Sequence, residues 1–249
     1  MSHRLLVICL LTAIPGIGTA QERAATSTYG SSIDGVIAQV VDGGAWKTII
    51  TLVNLDTTVG TYAVKFYGDN GLPLVLETTA GTGSTISGTL AVSASRVIET
   101  IGTSLVTLRG WALVDTSNVI SGQAIFRQRV AGRPDFEASM PIITYIDSNR
   151  YVVPFDHIST ATGLALVNPL SYTSITVFLT FRDESGSQFY LASLGLGPLQ
   201  HTSFSVWDLY PATLGHRGVI EIETSGSALN VLGLRFGPES FTSLLPLTR

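Results

Sequence analysis

His157, His201 and His216 are the residues of this chain best suited to acid–base chemistry or metal ligation, and none lies at helical or strand-neighbour spacing from another. A metal site built on one element needs close spacing, as in H-E-x-x-H, H-x-H or C-x-x-C, and none of these patterns occurs. The G-x-S-x-G elbow that exposes a hydrolase serine is missing too. Carboxylates are more numerous and equally scattered. Asp69-Asn70 and Asp183-Glu184 stand in matching turns where calcium could sit. Calcium takes about six or more oxygens, neither turn supplies them alone, and Asp, Asn and Gly are ordinary turn residues. A pair of glycosidase carboxylates could be drawn from any two strands, yet nothing nominates one. The expectation is no catalytic residue, no metal ligand and no cofactor.

Aromatic residues are the remaining candidates for a binding surface. Trp46 follows the loop Asp42-Gly43-Gly44-Ala45. If exposed it could stack on a sugar ring; the competing reading is that it closes an edge of the fold. Trp111, after Arg109-Gly110, has Val219 as its counterpart further along and is expected in the core. Asn54 and Asn168 are expected to bond backbone at strand ends. Arg127 and Arg235 are expected to be paired or solvated on outer strand faces.

These pairings come from an internal repeat. Leu52-Val53-Asn54 returns as Leu166-Val167-Asn168, and the turn ending at Gly71 returns as the one ending at Gly186. Arg109-Gly110, Thr116-Ser117 and Arg127 match Arg217-Gly218, Thr224-Ser225 and Arg235, and both copies close on F-x-x-x-x-P at 136–141 and 241–246. The offset falls from 114 at the Asn to 105 at the end, so the second copy is shorter at its back.

Each copy is a series of short β runs divided by Gly, Asn, Asp and Pro. After the shared Leu-Val-Asn, Tyr62, Val64 and Phe66 alternate with Ala63, Lys65 and Tyr67, as Val177, Leu179 and Phe181 alternate with Thr176, Thr180 and Arg182. One apolar face at period two predicts antiparallel sheet, buried on one side. The Asp69-Asn70-Gly71 turn is expected to close a hairpin with a strand near 72–78, where Leu74 and Leu76 resume the inward pattern; Phe189 and Leu191 are expected to do the same in copy two. Residues 205–211 predict a single helical turn, capped by Ser205 and stopped before Pro211, with Trp207 plugging an open end of the second sheet pair. The fold class expected is all-β: two tandem antiparallel β-sandwich domains.

The start of the chain reads as a secretory signal. A short basic segment, an apolar run over 5–17 and Gly18-Thr19-Ala20 place a cleavage site after Ala20; an uncleaved anchor is the alternative, though the run is short for a bilayer span of about 20 residues. The expected organisation is signal peptide 1–20, flexible leader 21–32, first sandwich 33–142, linker 143–149 and second sandwich 150–249. Beyond residue 20 the chain has 13 basic and 18 acidic residues, formal charge −5, because Arg4 is the only charge removed. Mild acidity gives no electrostatic reason to bind nucleic acid or anionic lipid. The single cysteine, Cys9, lies within the signal, so the remainder has no disulfide or thiol chemistry. No later segment is long and apolar enough for a membrane span.

The D-G-G-x-W loop at 42–46, L-V-N, the D-x-x-G-like turn, R-G-W-A at 109–112, S-G-x-A-I-F-R at 121–127 and L-G-L-R-F at 232–236 together resemble the tandem sandwich domains of secreted bacterial proteins of uncharacterised function, broadly immunoglobulin-like. The resemblance implies a fold and an extracytoplasmic location (periplasm, cell surface or medium) and carries no catalytic residue. The function expected is non-enzymatic: a structural, adhesion or protein-interaction role with an unknown protein or polysaccharide partner. A carbohydrate-binding module using Trp46 is the alternative, and a hydrolase on a sandwich scaffold the third.

Overall fold

Period-two segments become antiparallel sheet through the described residues, which in this computed structural model are 35–144, 149–226 and 228–248. The expected signal peptide with Cys9 and its expected cleavage site after Ala20, the expected leader 21–32 and residues 145–148 of the expected linker lie outside the described residues. The first half contains β1 (Gly35–Asp42), β2 (Trp46–Asn54), β3 (Gly60–Gly68), β4 (Leu76–Thr78), β5 (Gly81–Gly83), β6 (Thr85–Leu90), β7 (Ser95–Glu99), β8 (Leu108–Thr116), β9 (Ile120–Gln128), β10 (Phe136–Pro141) and β11 (Ile143–Thr144). The second contains β12 (Arg150–Asp156), β13 (Ala161–Val167), β14 (Ile175–Asp183), β15 (Gln188–Leu196), β16 (His201–Ser205), the one-turn helix α1 (Val206–Leu209), β17 (Arg217–Thr224), β18 (Asn230–Phe236), β19 (Phe241–Leu244) and β20 (Leu247–Thr248). Ile143 and Thr144, assigned to the linker from sequence, are strand β11 and pair with Val36 and Gly35.

Each half is a five-stranded sheet over a four-stranded one. The first half orders its strands β11-β1-β8-β3-β6 and β10-β9-β2-β7; the second orders them β20-β12-β17-β14-β15 and β19-β18-β13-β16. Position by position the two orders correspond. The matched Arg-Gly pairs have a steric reason: a Cβ on Gly110 would lie 1.9 Å from the Tyr67 carbonyl oxygen, and one on Gly218 would lie 2.0 Å from that of Arg182. Only hydrogen lets those strands approach so closely.

Three local expectations are corrected. The Asp69 turn does not lead into a hairpin partner of β3, because β3 pairs with β6 and β8. After Gly71 the chain makes one bridge, Tyr67 to Pro73, then folds into a separate β4–β5 hairpin before returning as β6. Pro73 has no N–H to give a continuing ladder. In the second half β14 turns straight into β15, without such a detour. Secondly, Leu191 points outward and is 59% exposed. A bulge between Phe181 and Arg182 leaves Phe189 without a strand partner and shifts the register by one, and a one-residue slip exchanges the faces. Tyr190, Ala192 and Leu194 take the inner side. Thirdly, Trp207 does not plug the second sandwich. Val206, fully buried, and Tyr210 four residues on share the inward face of α1, while Trp207 is half-buried against the His157 ring at 5.7 Å. Ser205 makes no side-chain cap bond.

β3 and β14 bury one face each, as their alternation requires. In contrast, β1 and β13 are buried at every residue. Each has its own sandwich core on one side and the other half of the protein on the other: one apolar cluster contains Val36, Trp111 and Phe126 together with Ala165, Val167, Leu232 and Phe241. The halves therefore share a core instead of meeting only through a linker.

Candidate functional site

The junction between the halves gathers four of the side chains named from sequence: Trp46, Trp111, His201 and Asp69. Trp46 is placed there by the β1–β2 turn. Gly43, Gly44 and Ala45 all have positive φ, at 77°, 58° and 79°, and Gly43 and Trp46 exchange backbone hydrogen bonds of 3.0 Å in each direction. Two successive left-handed residues between bonded partners make a type I′ hairpin turn; Gly44 takes the first of these positions freely, and Ala45 holds the second at some steric cost. Trp46 emerges half-buried, its ring 5.5 Å from that of Phe241 in the second half.

Trp111 is fully buried and stacked at 4.9 Å on Tyr67, as the core expectation required, and it also reaches across. Its Nε1–H donates to the Leu199 carbonyl at 2.8 Å. Leu199 occupies the third position of a Gly197-Pro198-Leu199-Gln200 turn closed by a 3.1 Å bond from Gln200 N–H to Gly197 O, with φ at 56°. Glycine is usual at that position of a type II turn; leucine stays there while its side chain packs against the shared core and its carbonyl meets Trp111.

Beside this contact, β16 presents His201, whose side chain is fully buried. Nδ1 lies 2.8 Å from Asp69 Oδ1 and Nε2 lies 3.1 Å from Gln39 Oε1; Arg109 approaches the other Asp69 oxygen at 3.3 Å. An Asp–His pair is the orienting half of a hydrolytic triad, though Asp69 itself is only half-buried. Here the second ring nitrogen faces an amide oxygen, not a hydroxyl, and the ring is sealed from solvent, so the pair fastens the halves together. Sequence reasoning missed it because Asp69 and His201 are 132 positions apart.

The other two histidines divide. His157 is buried, with Nδ1 2.8 Å from Thr213 Oγ1 and Nε2 without a partner among the described residues; burial lowers its pKa. His216 is exposed and stacks at 4.4 Å on Phe189. The chain brings these two together through backbone, His157 N–H donating to His216 O at 2.8 Å, while His201 stands apart at the junction. No group of three His, Cys, Asp or Glu that could hold a metal occurs among the described residues. The Asp183 carboxylate accepts from Ser185 N–H, Ser185 Oγ–H and Ser187 N–H within its own turn, whereas its counterpart Asp69 turns to His201. Arg127 pairs with Glu137 at 2.6 Å and Arg235 donates to Thr160 Oγ1 at 3.3 Å.

Asp69 makes the junction pH-sensitive. Burial alone would raise its pKa, but the hydrogen bond from His201, with the His201 and Arg109 charges, holds it below 3.8. A depressed carboxyl pKa contributes stability above its unfolded value, and that contribution is lost as pH falls through the folded value. In urea unfolding, wild type should therefore exceed Asp69→Asn at about pH 5, and that margin should shrink as the pH falls below the ordinary carboxylate value of 3.8 and through the lower folded value. A margin that does not change over that acid range would remove Asp69 from this role.

Around Trp46 the two halves leave a half-open cavity of about 260 Å³. Phe126 and Trp46 line it from the first half, Leu164, Leu234 and Phe236 from the second, with Gln39, Thr107, Arg109, Ser203 and Ser205 as polar members. The chain matches no protein-family model, no curated protein and no solved structure with which it was compared.

Proposed function

We propose that this chain is a secreted, non-enzymatic tandem β-sandwich protein, immunoglobulin-like in the broad sense and derived by internal duplication, that acts by pairing with another protein through a free sheet edge. The observation that carries this reading is strand β15. It is nine residues long, QFYLASLGL, with no charge and no proline, and it pairs with β14 alone. Natural edges are usually guarded by lysine, proline or shortening. Its counterpart in the first half, β6, has six residues and lies against the β4–β5 hairpin, so the halves differ at this edge. On the outer face, Phe178 and Leu191 are 48% and 59% exposed and are diagonal neighbours, since Phe178 pairs with Ser193 and Thr180 with Leu191. Strand addition takes affinity from main-chain bonds and selectivity from such alternate side chains.

The polysaccharide alternative rests on Trp46, which leans on Phe241 and borders an apolar space. A hydroxyl-rich sugar ring would leave polar groups unpaired against that lining.

A photo-crosslinking residue at Ser193 tests the edge in cells expressing the protein. The expected result is a discrete adduct, with a second copy or with another protein, that Leu191→Lys reduces at least severalfold. Absence of adducts, or equal yield in the lysine variant, would overturn edge pairing.

A further inference from the structure

Strand β15 leaves one row of backbone groups free, and the register identifies them. Ser225 N–H donates to Thr176 O at 2.9 Å and Thr176 N–H donates to Ser225 Oγ at 3.0 Å, so Thr176 turns its backbone toward β17. Backbone direction alternates along an antiparallel strand. Ile175, Val177 and Leu179 therefore turn theirs toward β15, where their partners are Leu196, Leu194 and Ala192. The N–H and C=O groups of Leu191, Ser193 and Gly195 point the other way, and β14 is the only described strand paired with β15. All three residues are exposed, and a Cβ on Gly195 would meet nothing within 4 Å. Because the bulge at Phe189 ends the regular ladder, the open edge runs from 190 to 196, with Ser193 at its centre.

We propose that the partner of this edge is a second copy of the chain, joined β15 to β15 in antiparallel fashion about a two-fold axis at Ser193. This rests on the free-edge reading above and names its occupant. The axis sets Ser193 opposite Ser193 of the second copy, where two hydroxyls can bond each other. It sets Leu191 opposite Gly195 and Ala192 opposite Leu194, a large side chain against a small one each time. Leu191, Ser193 and Gly195 of the two copies exchange about six main-chain hydrogen bonds. The same pairing covers Ala192 and Leu194, which the sandwich itself buries only in part.

Charge favours a second copy in this orientation. The chain carries a formal −4, but β15 has no charged residue, so no like charges meet across the joint. The acidic turn at Asp183-Glu184 precedes β15. Antiparallel pairing sends the two acidic turns to opposite ends of the joined strands, roughly 40 Å apart at about 3.4 Å per residue, well past a screening length of about 8 Å. Parallel pairing would set them side by side. The contact is isologous and closes on itself, since the far edge of this sheet, β20, has only the two residues Leu247 and Thr248 and offers no comparable row for further copies.

Sedimentation of the purified protein over about 1 µM to 1 mM, the range for a modest interface, is expected to show a monomer–dimer equilibrium. Ser193→Lys and Ser193→Asp each place two like charges directly opposite at the axis, and each should raise the dissociation constant about fivefold or more. Ser193 is exposed, so neither variant should disturb the fold. An equimolar mixture of the two variants should regain the dimer, because lysine then faces aspartate; a structural effect of either substitution would not be rescued this way. A protein that stays monomeric throughout, or a dimer that both variants leave unchanged or that the mixture does not restore, would overturn self-pairing. A monomer whose Ser193 photo-adduct in cells is a different protein would overturn self-pairing and keep edge pairing, whereas a monomer that gives no adduct would remove both.

Discussion

Trp111→Ala is expected to destabilise the protein by about 3–5 kcal/mol, the range for deleting a fully buried aromatic side chain. Trp111 is the largest of the fully buried side chains, and it belongs to the cluster that runs from the first core into Ala165, Val167 and Leu232 of the second half. Its loss empties space on both sides of the junction and frees the Leu199 carbonyl. Trp111→Phe separates these effects: it keeps an aromatic ring and loses the 2.8 Å bond to Leu199 O, at about 1–3 kcal/mol for the carbonyl left unpaired plus whatever space the smaller ring leaves. Against a typical total of about 5–15 kcal/mol, the alanine variant removes a large share of the stability. Wild type should unfold in urea as one transition with an m-value fitting the whole described chain, because its halves share buried surface. Trp111→Ala should split that curve or shift its midpoint sharply. An unchanged single transition would mean that the two sandwiches hold together without this residue.

How much of this was legible from residue order depended on the range of the interaction. Alternation at 62–66 and 177–181 marked the half-buried strands because a single-faced core writes itself at period two. The runs Val36-Ile37-Ala38 and Leu164-Ala165-Leu166 carried a second message: apolar residues without alternation mean burial on both faces. Two separate sandwiches do not require that, and the shared core explains it. Leu191 was misplaced because one bulge exchanges faces, and nothing before Phe189 announces the bulge. Trp207 was assigned the plug by size, whereas in a four-residue helix the inward position is set by the i, i+4 pair Val206 and Tyr210. Asp69 and Asp183 occupy equivalent turns and look alike locally; what makes Asp69 a fastening residue is a histidine brought to it by the packing of the halves. The cavity at Trp46 belongs to the same class, since its walls come from strands far apart in the chain.

The repeat is most literal at its paired asparagines, and the second large effect is expected there. Asn54 Nδ2 donates to the carbonyls of Thr58, Leu90 and Ala91, and Oδ1 accepts from Asp56 N–H. Asn168 Nδ2 donates to Thr173, Leu196 and Gly197, and Oδ1 accepts from Leu170 N–H. Both side chains are buried, each closing a strand end by bonding backbone carbonyls, three of which also accept from a second donor: Thr58 O from Asn118 Nδ2, Ala91 O from Ala94 N–H and Gly197 O from Gln200 N–H. Alanine at either position removes these bonds together with the acceptor for Asp56 N–H or Leu170 N–H, for an expected loss of about 1–3 kcal/mol, equal at the two sites to within about 1 kcal/mol if the local structures are as alike as their bonds. Aspartate is the sharper test. The oxygen that replaces Nδ2 would face three carbonyl oxygens, so Asn54→Asp and Asn168→Asp should lose more than the alanine variants at neutral pH. The sign with pH follows: a carboxylate buried against acceptors has its folded pKa raised, so the variant is stabilised wherever the acid is protonated and weakened as pH rises through that value. Unfolding midpoints of the aspartate variants should therefore approach those of the alanine variants on acidification from neutral pH. Aspartate variants no worse than alanine at neutral pH, or falling further behind in acid, would show that the amide N–H groups are not what holds these strand ends.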